Sequence, residues 1–163
     1  MNKGFTIIEL IMVIVIAGVL TAGTAPYINA VIERWQFLQF RNEAGTQARN
    51  ALDWMVREIR EVKDNNSFDI ADSSRLKFTN SSDISIDYTL SGNTLMRNSD
   101  ALVSGVNSLQ FEYRNVQNNI MSSLPLSSGQ RKQIWRIRVI LTLSSGGETL
   151  TLETDIFPRN LGS

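Results

Sequence analysis

A single carboxylate, Glu9, stands inside an otherwise uncharged run, FTIIELIMVIVIAGVLTAGTA, from Phe5 to Ala25. An ionised side chain deep in a bilayer costs at least about 2.5–3.5 kcal/mol on insertion scales, so such residues are rare and usually functional. Glu9 lies one helical turn from Phe5, which keeps it near a membrane surface, and a positive partner would offset most of the remaining cost. Cleavage of the bond after Gly4 would create that partner. The new α-amino group of Phe5 would have a reference pKa of about 7.7–8.0 and be largely cationic at neutral pH. The ammonium could belong to the same chain or to a neighbouring copy, and the second arrangement makes Glu9 an assembly device.

The other residues that commonly carry chemistry are missing. The 163-residue chain has no cysteine, which excludes disulfides, cysteine metal sites and thiol nucleophiles. It has no histidine, which removes the commonest general acid–base, the commonest zinc ligand and the usual serine triad. No glycine-rich phosphate loop is present. The pairs Asp83 with Asp87 and Asp69 with Asp72 lack the dense, glycine-turned pattern of a calcium loop and read as solvated carboxylates on strand faces. Lysines plus arginines number 16, as do aspartates plus glutamates, so no net charge draws the chain to nucleic acid. The expectation is no catalytic residue, no metal, no cofactor and no enzyme activity.

The elements that must position Glu9 begin with a helix. The uncharged stretch from Leu10 to Ile32 is 23 residues long, and about 20 helical residues cross the hydrocarbon layer. A cleaved secretory signal fits loosely, through Lys3 and the small residues Ala22, Gly23 and Ala25, but Pro26 would sit directly after the cut. A plain single-pass tether is the simplest alternative, though it gives Glu9 nothing to do. Lys3 is the only basic side chain before Arg34 and favours a cytoplasmic amino terminus. Gly18 and Ala22, with Ala17, Thr21 and Ala25, form a small-residue face that permits close helix contact or simply reflects apolar composition. Pro26 is expected to break or bend the helix, or to mark its exit from the membrane.

Gly4-Phe5-Thr6-Ile7-Ile8-Glu9-Leu10 resembles the cleavage and methylation motif of type IV prepilins and type II secretion pseudopilins. The resemblance includes the short basic leader Met1-Asn2-Lys3-Gly4, glutamate as the fifth residue after the cut, the apolar run, and Pro26 twenty-one residues after Phe5. It implies that Gly4 ends the leader for a dedicated inner-membrane aspartic peptidase, and that Phe5 becomes the amino terminus and is N-methylated by the same enzyme. It further implies that Glu9 pairs with the Phe5 ammonium of an adjacent subunit during assembly. The implied partners are other pilin or pseudopilin subunits, the prepilin peptidase and an inner-membrane assembly platform. The implied location is the bacterial inner membrane, single-pass, with a cytoplasmic amino terminus and a periplasmic or extracellular carboxy-terminal region, and then the assembled filament. The segment ARNALDWMVREIR, from Ala48 to Arg60, is similar to the same region of minor pilins and J-type minor pseudopilins. Many major pilins close a carboxy-terminal loop with a disulfide, and the absence of cysteine favours a minor subunit.

From Val31 to Val62 the apolar residues recur at steps of three and four: Val31, Trp35 and Leu38, then Ala48, Leu52, Met55, Val56, Ile59 and Val62. Arg49, Asp53, Arg57, Glu58 and Glu61 fall mostly between them, with Arg57 and Glu61 spaced as an i,i+4 pair. This predicts an amphipathic helix whose stripe covers a sheet, stopped by Lys63-Asp64-Asn65-Asn66. Short alternating runs follow. Strands are predicted over Arg75–Thr79, Ile84–Leu90 and Thr94–Arg97, with a turn at Ser91-Gly92-Asn93. Leu109, Phe111 and Tyr113 share a face, as do Trp135, Ile137, Val139, Leu141 and Leu143. The turn Ser144-Ser145-Gly146-Gly147 leads to Leu150, Leu152, Thr154 and Ile156, an antiparallel hairpin. Between these, Val116 to Arg131 reads as a long polar loop.

The expected fold is therefore α+β and pilin-like, a long N-terminal helix with a transmembrane inner half packed on an antiparallel β-sheet. Its divisions are a leader at 1–4, a transmembrane helix segment at 5–30, an amphipathic helix at 31–64 and a β-rich globular region at 65–163. Two functions from different classes remain: a structural subunit of a type IV pilin-like filament, and a single-pass membrane-anchored sensor or binding module.

Overall fold

The computed structural model describes residues 6–145 and 148–161. Its elements are α1 (Ile7–Arg60), β1 (Phe68–Ala71), β2 (Arg75–Thr79), β3 (Ser85–Ser91), β4 (Thr94–Arg97), β5 (Asp100–Ser104), β6 (Val106–Arg114), α2 (Ser128–Arg131), β7 (Arg136–Ser145) and β8 (Glu148–Ile156). An apolar N-terminal helix followed by antiparallel sheets makes this an α+β, pilin-like architecture. The chain divides into two compact units, Met1–Gln39 and Phe40–Ser163, and the division falls within α1.

In the first unit α1 starts immediately after Thr6 and continues through Pro26. A proline has no N–H to give, yet helices of this apolar kind tolerate the loss of one rung. The hydroxyls in the apolar run are satisfied locally: Thr21 Oγ1 donates to the Ala17 carbonyl at 2.7 Å and Thr24 Oγ1 to that of Thr21 at 3.1 Å.

In the second unit the helix is one-sided. Ala48, Ala51, Leu52, Met55 and Ile59 of α1, with Val62 just beyond it, are buried in the core, whereas Trp54 between them is 46% exposed. A Cβ placed on Gly45 would lie 3.5 Å from Leu150 Cδ2, so α1 meets β8 there in ordinary van der Waals contact. The helix ends at Arg60, and carbonyls at its end and just beyond it are met by donors from later in the chain. Arg159 N–H donates to the Arg60 carbonyl at 3.1 Å, Ser81 N–H to Glu61 at 2.8 Å, and the Asn160 amide to Val62 at 3.0 Å.

The strands form two sheets rather than one. β1 to β5 make a five-stranded meander in chain order, and β6 to β8 a three-stranded meander. The passage between them takes one residue, Gly105, at φ +76°, a left-handed conformation that costs a glycine little. β6 then lies beside β2, β3 and β4 as well as pairing with β7. Period-two alternation turns Leu76, Phe78, Ile86, Tyr88 and Leu95 of the first sheet and Leu109, Phe111, Tyr113, Ile137, Val139, Leu141 and Leu143 of the second into one core.

β2 and β4 match their sequence expectations residue for residue, and β3 is displaced by one. β1 and β5 were not predicted. Both are short, and β5 follows β4 through the two-residue turn Asn98-Ser99, where Asn98 adopts φ +54°. The β7–β8 hairpin is present with Leu141 opposite Leu152, while its glycines, Gly146 and Gly147, lie outside the described residues. The polar loop expected from Val116 to Arg131 is more structured than its composition suggests. Leu126 is 2% exposed and donates its N–H to the Ala71 carbonyl, and α2 is closed by a capping box between Ser127 and Gln130. Arg131 fastens it, donating to the carbonyls of Phe68 at 2.8 Å and Leu126 at 2.9 Å. These bonds cover the free side of β1, an edge that would otherwise invite pairing with another chain.

Ile59 is fully buried on the docked face of α1. Ile59→Ala should lower the unfolding free energy by about 2–4 kcal/mol, the range for large-to-small changes in a packed core. Urea denaturation followed by far-ultraviolet circular dichroism checks this, and an unchanged midpoint would mean that the stripe is not packed.

Candidate functional site

The first candidate site is the start of α1. Thr6 precedes the first helical residue, and its hydroxyl oxygen accepts the Glu9 backbone N–H at 3.3 Å. This is half of a capping box, in which threonine sits three residues before glutamate. The Thr6-Ile7-Ile8-Glu9 spacing is its signature in the sequence, masked there by the more conspicuous charge of Glu9. Glu9 also lies in the first turn, where a helix's partial positive charge favours an anion. Its carboxylate is exposed and has no ionic partner among the described residues. Gly4, Phe5 and Lys3 lie outside the described residues.

Behind Glu9, Ile7–Thr24 is 18 residues long and apolar enough to cross a membrane by length and composition. Its side chains are exposed all round, from Ile7 at 80% to Val19 at 68% and Leu20 at 63%. A helix apolar on every side has no water-facing stripe and requires lipid or apolar neighbours. Gly18 and Gly23 have nothing within 4 Å of where a Cβ would stand, so the small-residue face is open among the described residues. The helix continues through Pro26.

The second candidate is the polar joint between α1 and the five-stranded sheet. Glu58 faces Tyr88 of β3 and Arg97 of β4: the Tyr88 hydroxyl donates to Glu58 Oε2, and Arg97 Nη2 lies 2.6 Å from Oε1. Arg97 Nε lies 3.0 Å from Oε1 and 2.9 Å from Oε2, so the guanidinium grips both carboxylate oxygens. Burial opposes ionisation of Glu58, but hydrogen bonds from Arg97, Tyr88 and Trp54 outweigh it and hold its pKa below the ordinary 4.5. Burial and the bond to Glu58 push the Tyr88 phenol up. The sequence places Tyr88 inward by alternation and Glu58 on the flank of the helical stripe. It holds no signal that the two meet, because their partnership depends on strand order. Arg57 stacks over the Trp54 ring at 5.5 Å and does not form the expected pair with Glu61.

Of the acidic pairs in the carboxy-terminal half, Asp83, Asp87 and Asp69 face cations, whereas the Asp72 carboxylate accepts the Ser73 N–H at 2.7 Å. Asp87 accepts from Arg75 Nε at 3.0 Å and Nη2 at 2.6 Å, Asp83 pairs with Lys63, and Asp69 lies 3.9 Å from Lys77. Among the described residues no cluster of three acidic side chains is arranged to hold a metal.

Residues 1–25 match the family profile of the prokaryotic N-terminal methylation motif. The match spans Gly4, Phe5 and Glu9 and ends just before Pro26. No curated protein matches the chain significantly. The motif supports a type IV pilin-like subunit, a structural protein that associates with other pilin subunits and is processed by a prepilin peptidase. The apolar helix at its end fits a membrane-anchored pilin.

A depressed pKa for Glu58 stabilises the fold above the unfolded value of 4.5, and that contribution is lost as pH falls through the folded value. Glu58→Gln should therefore cost about 2–3 kcal/mol at pH 7, somewhat below a fully buried pair. The gap between wild type and variant should narrow below pH 4.5. Urea midpoints at pH 7 and pH 3.5 measure both, and a constant gap would rule out ionised Glu58 as the source.

Proposed function

We propose that this chain is a structural subunit of a type IV pilin-like filament, processed between Gly4 and Phe5 and N-methylated at Phe5. The observation that carries the reading is a carboxylate, Glu9, without an ionic partner among the described residues, at the head of a helix apolar on all sides and within a prepilin-type methylation motif. The precursor is held in the inner membrane with its amino terminus in the cytoplasm. The peptidase removes Met1–Gly4, and an assembly platform draws the subunit into the fibre. Helix surface that lipid covered is then covered by neighbouring helices, and Glu9 receives the Phe5 ammonium of an adjacent copy. Pro26 gives the helix a place to bend as it packs.

Within this class the chain is a minor pilin or minor pseudopilin, which initiates or tips a type II secretion pseudopilus or a type IV pilus. Two features support the minor assignment: the absence of a carboxy-terminal disulfide, and the Ala48–Arg60 segment that resembles minor subunits. The Arg131 clasp gives one reason a disulfide is dispensable, since it secures the long loop through carbonyls instead.

The Thr6–Glu9 bond favours a second reading, in which Glu9 merely helps start the helix of a tether or sensor. Glutamine serves a capping box as well as glutamate does, but it carries no charge. Glu9→Gln should therefore leave membrane insertion and expression normal while filament incorporation falls at least tenfold. A hydrogen bond between charged groups contributes about 1.5–3 kcal/mol per contact, enough for that effect. Shear-fraction immunoblotting measures incorporation; full incorporation of the variant would favour the tether.

Mass spectrometry of the mature chain should show N-methylated Phe5 at its amino terminus. An intact Met1, or a start at Pro26, would overturn the processing step.

A further inference from the structure

At one end of the second unit three segments enclose a cleft of about 340 Å³: the turn after α1, the exit of β6 and the approach to β7. Its size sits at the small end of the roughly 300–1,000 Å³ typical of small-ligand sites. The lining is unusual in composition. Four primary amides, Asn65, Asn115, Gln117 and Gln133, converge there with Lys132 and Trp135, and no carboxylate lines the cleft.

Much of this polar capacity is uncommitted. The Asn65 amide donates to the Lys132 carbonyl at 2.9 Å, which ties two walls together and leaves the Asn65 carbonyl oxygen free to accept. Asn115 Oδ1 accepts from Asn119 N–H at 2.9 Å, which leaves the Asn115 amide hydrogens free to donate. Among the described residues the side chains of Gln117, Gln133 and Lys132 have no partner, and Lys132 forms no ion pair. Trp135 is 40% exposed, with neither a ring contact nor an acceptor for its indole N–H among those residues. A tryptophan at this position belongs by alternation to the buried face of β7, where Ile137, Val139 and Leu141 are fully covered.

An exposed indole offers a flat apolar face beside a polar rim. Amides at fixed positions donate and accept side by side, as vicinal hydroxyl groups require. A lone cation in a site without acids selects for negative charge. We infer that this cleft binds an acidic saccharide, with a pyranose ring against Trp135, ring hydroxyls bonded to the amides of Asn65, Asn115 and Gln133, and a carboxylate at Lys132. A peptide ligand fits less well, because the cleft has a single aromatic wall and no row of free strand groups along it.

The test uses the full-length chain in zwitterionic micelles, since glycoside detergents would compete. Tetragalacturonate and the neutral maltotetraose are titrated and followed by isothermal calorimetry, with an unstructured acidic peptide as a third probe. Tetragalacturonate should bind at least about tenfold more tightly than maltotetraose. Trp135→Ala should weaken both sugars about tenfold. Lys132→Gln, at an exposed position, should abolish the preference for the acidic one while leaving the neutral one unchanged. Trp54→Phe, on α1 and outside the cleft, should alter neither. No saccharide binding at 10-fold above millimolar concentration, equal binding by Trp135→Ala with its fold intact by circular dichroism, or binding of the peptide alone would each overturn the assignment. None of these outcomes depends on filament assembly.

Discussion

The structure depends on a change in how α1 meets its surroundings along its length. From Ile7 to Thr24 it is apolar on all sides; from Ala48 onward it is apolar on one side only. The hydrophobic effect has no direction, so geometry decides what must cover each surface. The second part is satisfied by the chain's own strands. The first part has no such cover among the described residues and must find it in lipid or in other apolar surfaces.

Glu9 and Glu58 show how one residue type is used in two ways on one helix. Glu58 is satisfied within its own unit, gripped by Arg97 and Tyr88 at the joint with the five-stranded sheet. Burying it is tolerable because the Tyr88 hydroxyl and the Arg97 guanidinium both donate to it. Among the described residues the Glu9 carboxylate accepts no such contacts, and its backbone N–H is tied to Thr6. A partner for its carboxylate must come from beyond the described residues or from another molecule.

The period of the apolar residues made much of this legible. The 3.6 repeat from Ala48 to Val62 identified every α1 core side chain except Ala51, which is small enough to be overlooked. The period-two runs around Tyr88, Phe111 and Val139 fixed their strands because each run has a single buried face. The missed elements lack that signature. In β1, Phe68 and Ala71 are buried three residues apart, and its pairing with β2 shifts register between Phe68 and Ile70. In β5 only Val103 is fully buried. The loop from Val116 to Arg131 looked solvated because its apolar residues, Leu126 among them, follow neither a period of two nor one of 3.6, and the backbone bond from Leu126 to Ala71 is invisible to local pattern. The division into two sheets turns on Gly105, one residue whose dihedral no periodicity reports. At the amino-terminal site, Glu9 declared itself by being out of place, whereas its cap by Thr6 was hidden by the more conspicuous charge.

The carbonyls of Arg60 and Val62 are met by Arg159 and Asn160, groups separated by about a hundred positions of chain. The finishing turn of the helix is therefore completed by residues from the far end of the chain, with all the strands made in the interval between them. Loss of the carboxy-terminal residues would thus leave the carbonyls at the end of α1 without their donors and open the turn on which the second unit closes.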